Sequence, residues 1–301
     1  MKIRGVVIED TFAEAFTMRV ARIIITGSSM RWVRAAALKL TGFATSVIGC
    51  KVEAGIEREL SSSGTPDGRP GTSVLLMTMS KDDLGKRLIE RIGQTVLTCP
   101  TTACYDGLPD APDRVGVGSA LRFFGDGFQG SKVIGGQRFW RIPVMEGEFL
   151  VQEKFGMIKG VGGGNFLILA RSAEAALKAA EDAADSMASQ NGVILPFPGG
   201  VVRSGSKVGS KRYKQMPAST NDAYCPTLRG RRGVKSALPE GVNSVLEIVV
   251  NGFDRPAIEQ ALRAGIEAAC RPGVVEISAG NYGGKLGKHH FPLHALFGPA
   301  T

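Results

Sequence analysis

The chain has 301 residues, of which 43% are hydrophobic and 40 are glycine. That length fits roughly two domains, and the apolar share is enough to bury a core and excludes a disordered chain. The glycine share is about twice the usual roughly 7%, so many tight turns and close backbone approaches are expected. A formal net charge of +9 favours an anionic partner. The start, Met1-Lys2-Ile3-Arg4-Gly5, lacks an apolar signal segment, and no run approaches the roughly 18 apolar residues of a membrane span. Cys50, Cys99, Cys104, Cys225 and Cys270 are scattered without a CxxC pair. They read as reduced thiols of a cytoplasmic protein.

Four segments in chain order repeat a strand–helix–strand rhythm. The first places a strand at 20–26, a helix at 30–40 and a strand at 46–50. The second has a strand at 73–79, a helix at 81–92 and a strand at 95–99. Its helix is capped by Ser80, with Asp82 and Asp83 at the positive end of the helix. A middle segment, 105–164, joins the two pairs and carries further strands near 121–124 and 138–142.

The third unit has a strand at 165–169, Ser172 as cap, an alanine-rich helix to about 189, Gly192 as stop and a strand at 193–195. In the fourth, a strand at 244–250 precedes Asp254 as cap and Pro256 in the first turn, where a missing N–H costs nothing. Its helix runs to about Cys270, Pro272-Gly273 breaks it, and 274–277 closes the unit. The long insertions, 51–71 and 196–243, fall between units. The expected class is α+β: two ferredoxin-like split βαβ sandwich lobes, an N-terminal lobe at 1–145 and a C-terminal lobe at 146–301. One doubly wound parallel sheet is the alternative.

Several familiar chemistries fail on spacing. The GxGxxG match at 125–130 is followed by a strand-like run, not by a helix whose N-terminus could hold a pyrophosphate. The glycines and lysines at 280–288 do not have Walker spacing, and no GxSxG is present. His289, His290 and His294 all lie near the C-terminus, with Pro292 between the last two and no HExxH around them. Tail packing is the better reading, and no metal is expected. An acid–base group in the body must therefore be Glu, Asp, Lys, Tyr or Cys.

Arg203, Lys207, Lys211, Arg212, Lys214, Arg229, Arg231, Arg232 and Lys235 crowd one stretch. Few aromatics accompany them and no nucleic-acid-binding signature appears. A solvated loop or a site for an anionic small molecule or carrier tail are the readings left. Glu247 interrupts the apolar strand at 244–250 and faces the same way as Val245 and Val249. Burial of that face would raise its carboxyl pKa and suit it to give or take a proton; an edge-strand glutamate facing water or a structural partner is the alternative. Beyond the fourth unit, the 278–288 loop has glycines that can turn backbone N–H groups towards an anion or an oxyanion. Lys285 and Lys288 add charge there and Tyr282 a stacking face, although a plain surface loop fits as well. A comparable loop, 196–207, follows the third unit, and the two loops can border one cleft.

The strings Ile8-Glu9-Asp10-Thr11-Phe12-Ala13-Glu14-Ala15-Phe16, Gly55-Ile56-Glu57-Arg58, Thr65-Pro66-Asp67-Gly68-Arg69-Pro70-Gly71 and Glu90-Arg91-Ile92-Gly93-Gln94 occur in that order. Met145-Glu146-Gly147, Gly164-Asn165-Phe166, the 196–207 run, the 280–288 loop and Leu293-His294 follow. Together they cover essentially the whole chain, and they resemble the formylmethanofuran:tetrahydromethanopterin N-formyltransferases. The resemblance implies an acyltransferase that moves a formyl group between tetrahydromethanopterin-type and methanofuran-type carriers in a ternary complex. It implies a homo-oligomer, typically a tetramer, with its cleft near a subunit contact and no tightly bound metal or prosthetic group.

The family's strand glutamate matches Glu247, which becomes the expected acid–base residue. Ser204, Ser206, Lys207, Asn251, Asn281, Tyr282, Gly283 and Lys285 become the expected substrate-binding set. The basic charge departs from the commonly acidic archaeal members, and the tail at 298–301 runs past the family's usual end. Both departures suggest a version from a methylotrophic bacterium that works in formaldehyde oxidation, in a complex with hydrolase-like subunits that release formate. A non-catalytic scaffold subunit of such a complex is the alternative function, and a basic RNA-binding module a more distant one.

Overall fold

In the computed structural model, which describes residues 1–298, the chain forms two compact units. One comprises Met18–Gly160 and the other Met1–Thr17 with Val161 onward. The divisions fall inside two long strands, β1 (Phe12–Thr26) and one at Lys154–Ala170. Residues 299–301 of the tail extension lie outside the described residues.

In the Met18–Gly160 unit, β1 is followed by α1 (Met30–Thr41), β2 (Glu53–Leu60), β3 (Gly71–Thr78), α2 (Lys81–Arg91) and β4 (Ala103–Asp106). β1 pairs antiparallel with β3 on one side and β4 on the other, and β2 pairs antiparallel with β3. The spatial order β4-β1-β3-β2 is that of a split βαβ sandwich. On α1, Val33, Ala36, Ala37 and Leu40 are buried, one helical stripe against the sheet. On α2, Leu84 and Leu88 are buried, and the Ser80 hydroxyl accepts the Asp83 N–H at 3.1 Å as the cap. Ile23, Ile25, Val74 and Leu76 complete the core.

Three expected strands of this unit are helical instead. Residues 46–50 form a single turn, Val47–Cys50, in which the Ser46 side chain accepts the Ile48 N–H and Lys51 closes the turn at φ 63°. The return strand is β2, inside what the sequence suggested was an insertion at 51–71. Residues 95–99 belong to a π-helical extension of α2, Ile92–Val96, and the turn after it, so the closing strand is β4. Residues 121–124 lie in two helical turns, Gly118–Leu121 and Arg122–Gly125. After the glycines at 125–130 comes the strand Gly130–Ile134, as the failed nucleotide motif implied.

In the other unit, β5 (Lys154–Ala170) contributes its part from Val161 onward. It is followed by α3 (Ala173–Ala188), β6 (Val193–Ile194), β7 (Val201–Val202), β8 (Ser244–Gly252), α4 (Arg255–Ala269), β9 (Val274–Ser278) and β10 (His289–Pro292). β5 pairs antiparallel with β8 and β9, and β8 also pairs with β6 and β7. The order β9-β5-β8-β6 repeats the first unit's arrangement. All these ladders are antiparallel, which removes the doubly wound alternative: the fold is α+β with two ferredoxin-like lobes. β10 pairs with Phe12–Ala15 at the start of β1.

Ser172 caps α3 by accepting the Ala175 N–H, and Asp254 caps α4 by accepting that of Ala257. The helices pack closely at Gly265, where an added Cβ would lie 2.4 Å from Met187 Sδ. They cover one face of the sheet with Phe166, Ile168, Ile248 and Val250 beneath. On the opposite face Leu167, Leu169 and Val245 pack against Tyr224, Leu238 and Val242 from the 196–243 insertion. Among the described residues, no helix is long and apolar enough to cross a membrane.

Candidate active site

Alternation along β8 sends Ile248 and Val250 into the helix-covered core. Val245, Glu247 and Val249 therefore point to the other face. Glu247 stands opposite Leu167 of β5 and Val202 of β7, and Leu167 stands opposite Ser278 of β9. It is a half-buried carboxyl in a mostly apolar row across four strands. Burial pushes its pKa up to about 7. Such a carboxyl populates both protonation states near neutral pH and can serve as acid or base.

Among the expected site residues, Tyr282 senses the charge of Glu247. Burial raises its phenol pKa first, and the charges of Glu247 and Glu14 add to the rise. Val202, two residues before Ser204, is the register partner of Glu247. The 203–207 loop thus starts beside the same carboxyl. Ser204 and Ser206 are exposed. Lys207 is half-buried and forms an ion pair with Asp222, which Lys211 also contacts at 2.8 Å. The two lysines hold the Asp222 carboxyl far below the usual range. Arg229 donates to the carbonyls of Pro239 and Val242, so it serves the loop itself. Arg203, Arg212, Lys214, Arg231, Arg232 and Lys235 are exposed.

The 280–288 loop differs from the expectation in one respect. Its backbone N–H groups do converge on an anion, but that anion belongs to the protein. Glu14 Oε2 accepts the N–H groups of Tyr282 at 2.6 Å and Gly284 at 2.9 Å. Glu14 Oε1 accepts those of Leu286 at 2.7 Å and Gly287 at 2.6 Å. Glu14 is 1% exposed. Burial alone would raise its pKa, yet the backbone donors outweigh it and hold the carboxyl below its ordinary value. These four donors are therefore not open to an oxyanion.

Asn281 braces the same loop: its amide donates to Thr11 Oγ1 and the Phe12 carbonyl, and its oxygen accepts the Gly283 N–H. Gly283 and Gly284 adopt φ +68° and +72°, left-handed values that favour glycine. Lys285 and Lys288 are exposed. Asn251 is fully buried, and its oxygen accepts the Gly163 N–H at 2.8 Å, at the register shift between Val161 and Gly164. It shapes β5 and presents no surface there. Asn165 accepts the Gly280 N–H at 2.6 Å and donates to the Gly280 carbonyl. Sequence alone singles out neither Glu14 nor Asn165 as a functional residue. The available signal for Glu14 was a lone charge in the apolar run Phe12-Ala13-Glu14-Ala15-Phe16.

The histidines pack the tail: His289 contacts Thr17 Oγ1, His290 the Gly287 carbonyl and His294 the Ile8 carbonyl. Among the described residues, no group of three or more His, Cys, Asp and Glu could hold a metal ion. In the other unit the 65–71 string folds around Asp67. That carboxylate accepts from Thr26, Arg69 and Tyr105, while Arg69 also reaches the Thr101 carbonyl.

Two family models span nearly the whole chain. One, described as formylmethanofuran-tetrahydromethanopterin formyltransferase, matches residues 1–144; the other, described as FTR, proximal lobe, matches residues 147–296. The chain is 58% identical over 303 residues to a formylmethanofuran–tetrahydromethanopterin formyltransferase of Methylobacillus flagellatus, covering 98% of this chain and 99% of the relative. It is 57% identical over 300 residues to that of Methylococcus capsulatus, with 98% and 99% covered. Among solved structures, the formyltransferase from Methanosarcina barkeri superposes with a TM-score of 0.93 at 51% identity, over 99% of this chain and 100% of the other. The formyltransferase/hydrolase complex from Methylorubrum extorquens, solved with methylofuran, contains a chain that superposes with a TM-score of 0.95 at 47% identity, over 98% of each.

Proposed function

The chain belongs to the formylmethanofuran–tetrahydromethanopterin formyltransferase family, and we propose that Glu247 is the residue that moves the proton in its reaction. The enzyme transfers a formyl group between tetrahydromethanopterin and methanofuran-type carriers. In that chemistry an amine attacks a formamide carbonyl, a tetrahedral oxyanion forms, and the departing nitrogen takes up a proton. Glu247 in its carboxylate form accepts the proton of the attacking amine; in its acid form it returns a proton to the leaving nitrogen. The observation that carries this is the half-buried carboxyl whose pKa burial alone brings to about 7.

Tyr282, whose phenol senses the charge of Glu247, and the exposed Lys285, Ser204 and Ser206 carry polar groups on the two loops, and we assign them to carrier binding. Gly283, Asn281, Asn251 and Lys207 act in this reading by shaping that site. Transfer is direct, in a ternary complex, without a tightly bound cofactor. The lobe boundary near residue 145 stays part of the proposal on the family models, which end at 144 and begin at 147, whereas the compact units divide at 17/18 and 160/161. So do a homotetramer, a cytoplasmic location and a place in formaldehyde oxidation to formate. The likeness to a chain of the Methylorubrum complex supports association with hydrolase-like subunits.

The test is Glu247→Gln, which keeps the shape and cannot ionise. Formyl transfer by the purified variant falls by roughly 10²–10⁴-fold with the fold intact. Retention of more than about a third of wild-type turnover would falsify the assignment.

A further inference from the structure

The 280–288 loop closes on Glu14 from both of its ends. At the start, the Gly280 carbonyl accepts the Glu14 N–H at 3.2 Å. At the finish, β10 pairs with β1 so that His290 stands opposite Glu14 and His289 opposite Ala15. Between them, four backbone N–H groups fill the carboxylate. An ionised carboxylate has two oxygens, about four lone-pair sites and no donor, so its acceptor capacity is used up. Gly287 passes so near that an added Cβ would lie 2.8 Å from Glu14 Cγ and 2.4 Å from the Ala15 carbonyl oxygen. A loop of this length with several glycines has little conformation of its own, and the carboxylate supplies the missing template.

The segment so held carries Tyr282, whose own N–H is one of the four donors. The Tyr282 phenol feels the charges of both Glu247 and Glu14. The same segment carries the exposed Lys285. We infer that Glu14 is a positioning residue for formyl transfer: its buried carboxylate orders the 280–288 loop from within and so places Tyr282 on the loop that follows β9, whose Ser278 lies in the same cross-strand row as Glu247. Glu14 touches no substrate; it acts through the loop. This rests on Glu247 being the proton-handling group.

Glu14→Gln keeps the shape but turns one oxygen into an amide donor that faces two N–H donors, and the loop must open. Steady-state kinetics on the full chain, expressed per folded molecule, then show turnover reduced roughly 10–100-fold. The pH profile moves as well. An opened loop displaces the Tyr282 phenol that senses the Glu247 charge, and the midpoint near 7 shifts. Glu14→Asp, with the charge kept and the reach shortened, recovers part of the loss. A folded Glu14→Gln protein with wild-type turnover, KM and pH midpoint overturns the inference, even if it melts earlier. If Glu14→Gln does not fold, Glu14→Asp decides, and wild-type kinetics there overturn it equally. Glu247→Gln run in parallel separates the two claims. An active Glu247→Gln beside an impaired Glu14→Gln removes the Glu247 assignment and leaves the loop's role standing. An inactive Glu247→Gln beside an unaffected Glu14→Gln removes Glu14 alone.

Discussion

Glu14 and Glu247 lie in the same compact unit, each a single carboxylate in an otherwise apolar stretch of strand, Ala13-Glu14-Ala15 and Leu246-Glu247-Ile248. Burial acts on both in the same direction, against the charged form. At Glu14 a glycine loop delivers four backbone N–H groups, and the carboxyl stays charged below its usual range. Among the described residues no such set of donors reaches Glu247, and burial raises the carboxyl to about 7. The difference lies in the supply of donors. A buried carboxylate that is fully hydrogen-bonded is a fixed ion and suits architecture, whereas one left without donors is a proton carrier at neutral pH.

The largest effect expected from breaking this contrast is on stability at Glu14. Glu14→Gln forfeits two of the four hydrogen bonds to a charged group, each worth about 1.5–3 kcal/mol. At about 2–4 °C per kcal/mol for chains of 150–250 residues, the melting temperature at pH 7 falls by roughly 6–24 °C. The folded-state pKa of Glu14 is lowered. Its contribution is therefore present above the unfolded value, about 4.3 for Glu, and is lost as pH falls through the folded value. Thermal melts from pH 7 down to pH 3 should show the gap between wild type and variant shrinking. A gap independent of pH would mean that shape, not charge, holds the loop.

A smaller effect of opposite sign belongs to Glu247. Its folded pKa is raised, so the folded state binds more protons than the unfolded one between about 4.3 and about 7. The stability it contributes is present below that window and is lost as pH rises through it. Glu247→Gln removes that loss, and the variant melts roughly a few degrees above wild type at pH 8, with no gain near pH 4. Equal melting temperatures at pH 8 would show that water already reaches the carboxyl. Smallest in stability terms is Lys285→Ala. It is exposed on the loop, so the melting temperature stays within about 1 °C while KM for a carrier rises about threefold or more. Unchanged kinetics would make the 280–288 segment architecture only.

Much of this was legible before the structure. Ser80, Ser172 and Asp254 each cap the helix that the sequence assigned to them, because side-chain capping is a local interaction. The facing of Glu247 with Val245 followed from strand alternation alone. The segments 46–50, 95–99 and 121–124 misled because a short apolar run suits a strand or one helical turn equally, and only packing decides. Phe123 and Phe124, 69% and 67% exposed, show that such a run need not enter a core at all. The glycines at 280–288 did announce converging N–H groups. Their occupant was hidden because Glu14 lies 268 residues from Tyr282 in the chain. Asn251 misled for a related reason: a polar residue at the end of an apolar strand looks available, but its oxygen is already bonded to the Gly163 N–H.

The most direct test of the account is the pH dependence of kcat/KM for formyl transfer in wild type and Glu247→Gln. The wild-type profile should contain a limb with its midpoint near 7, the value burial gives this carboxyl. That limb should vanish in the variant along with most of the activity. A variant that keeps the same limb at the same midpoint would show that another group moves the proton.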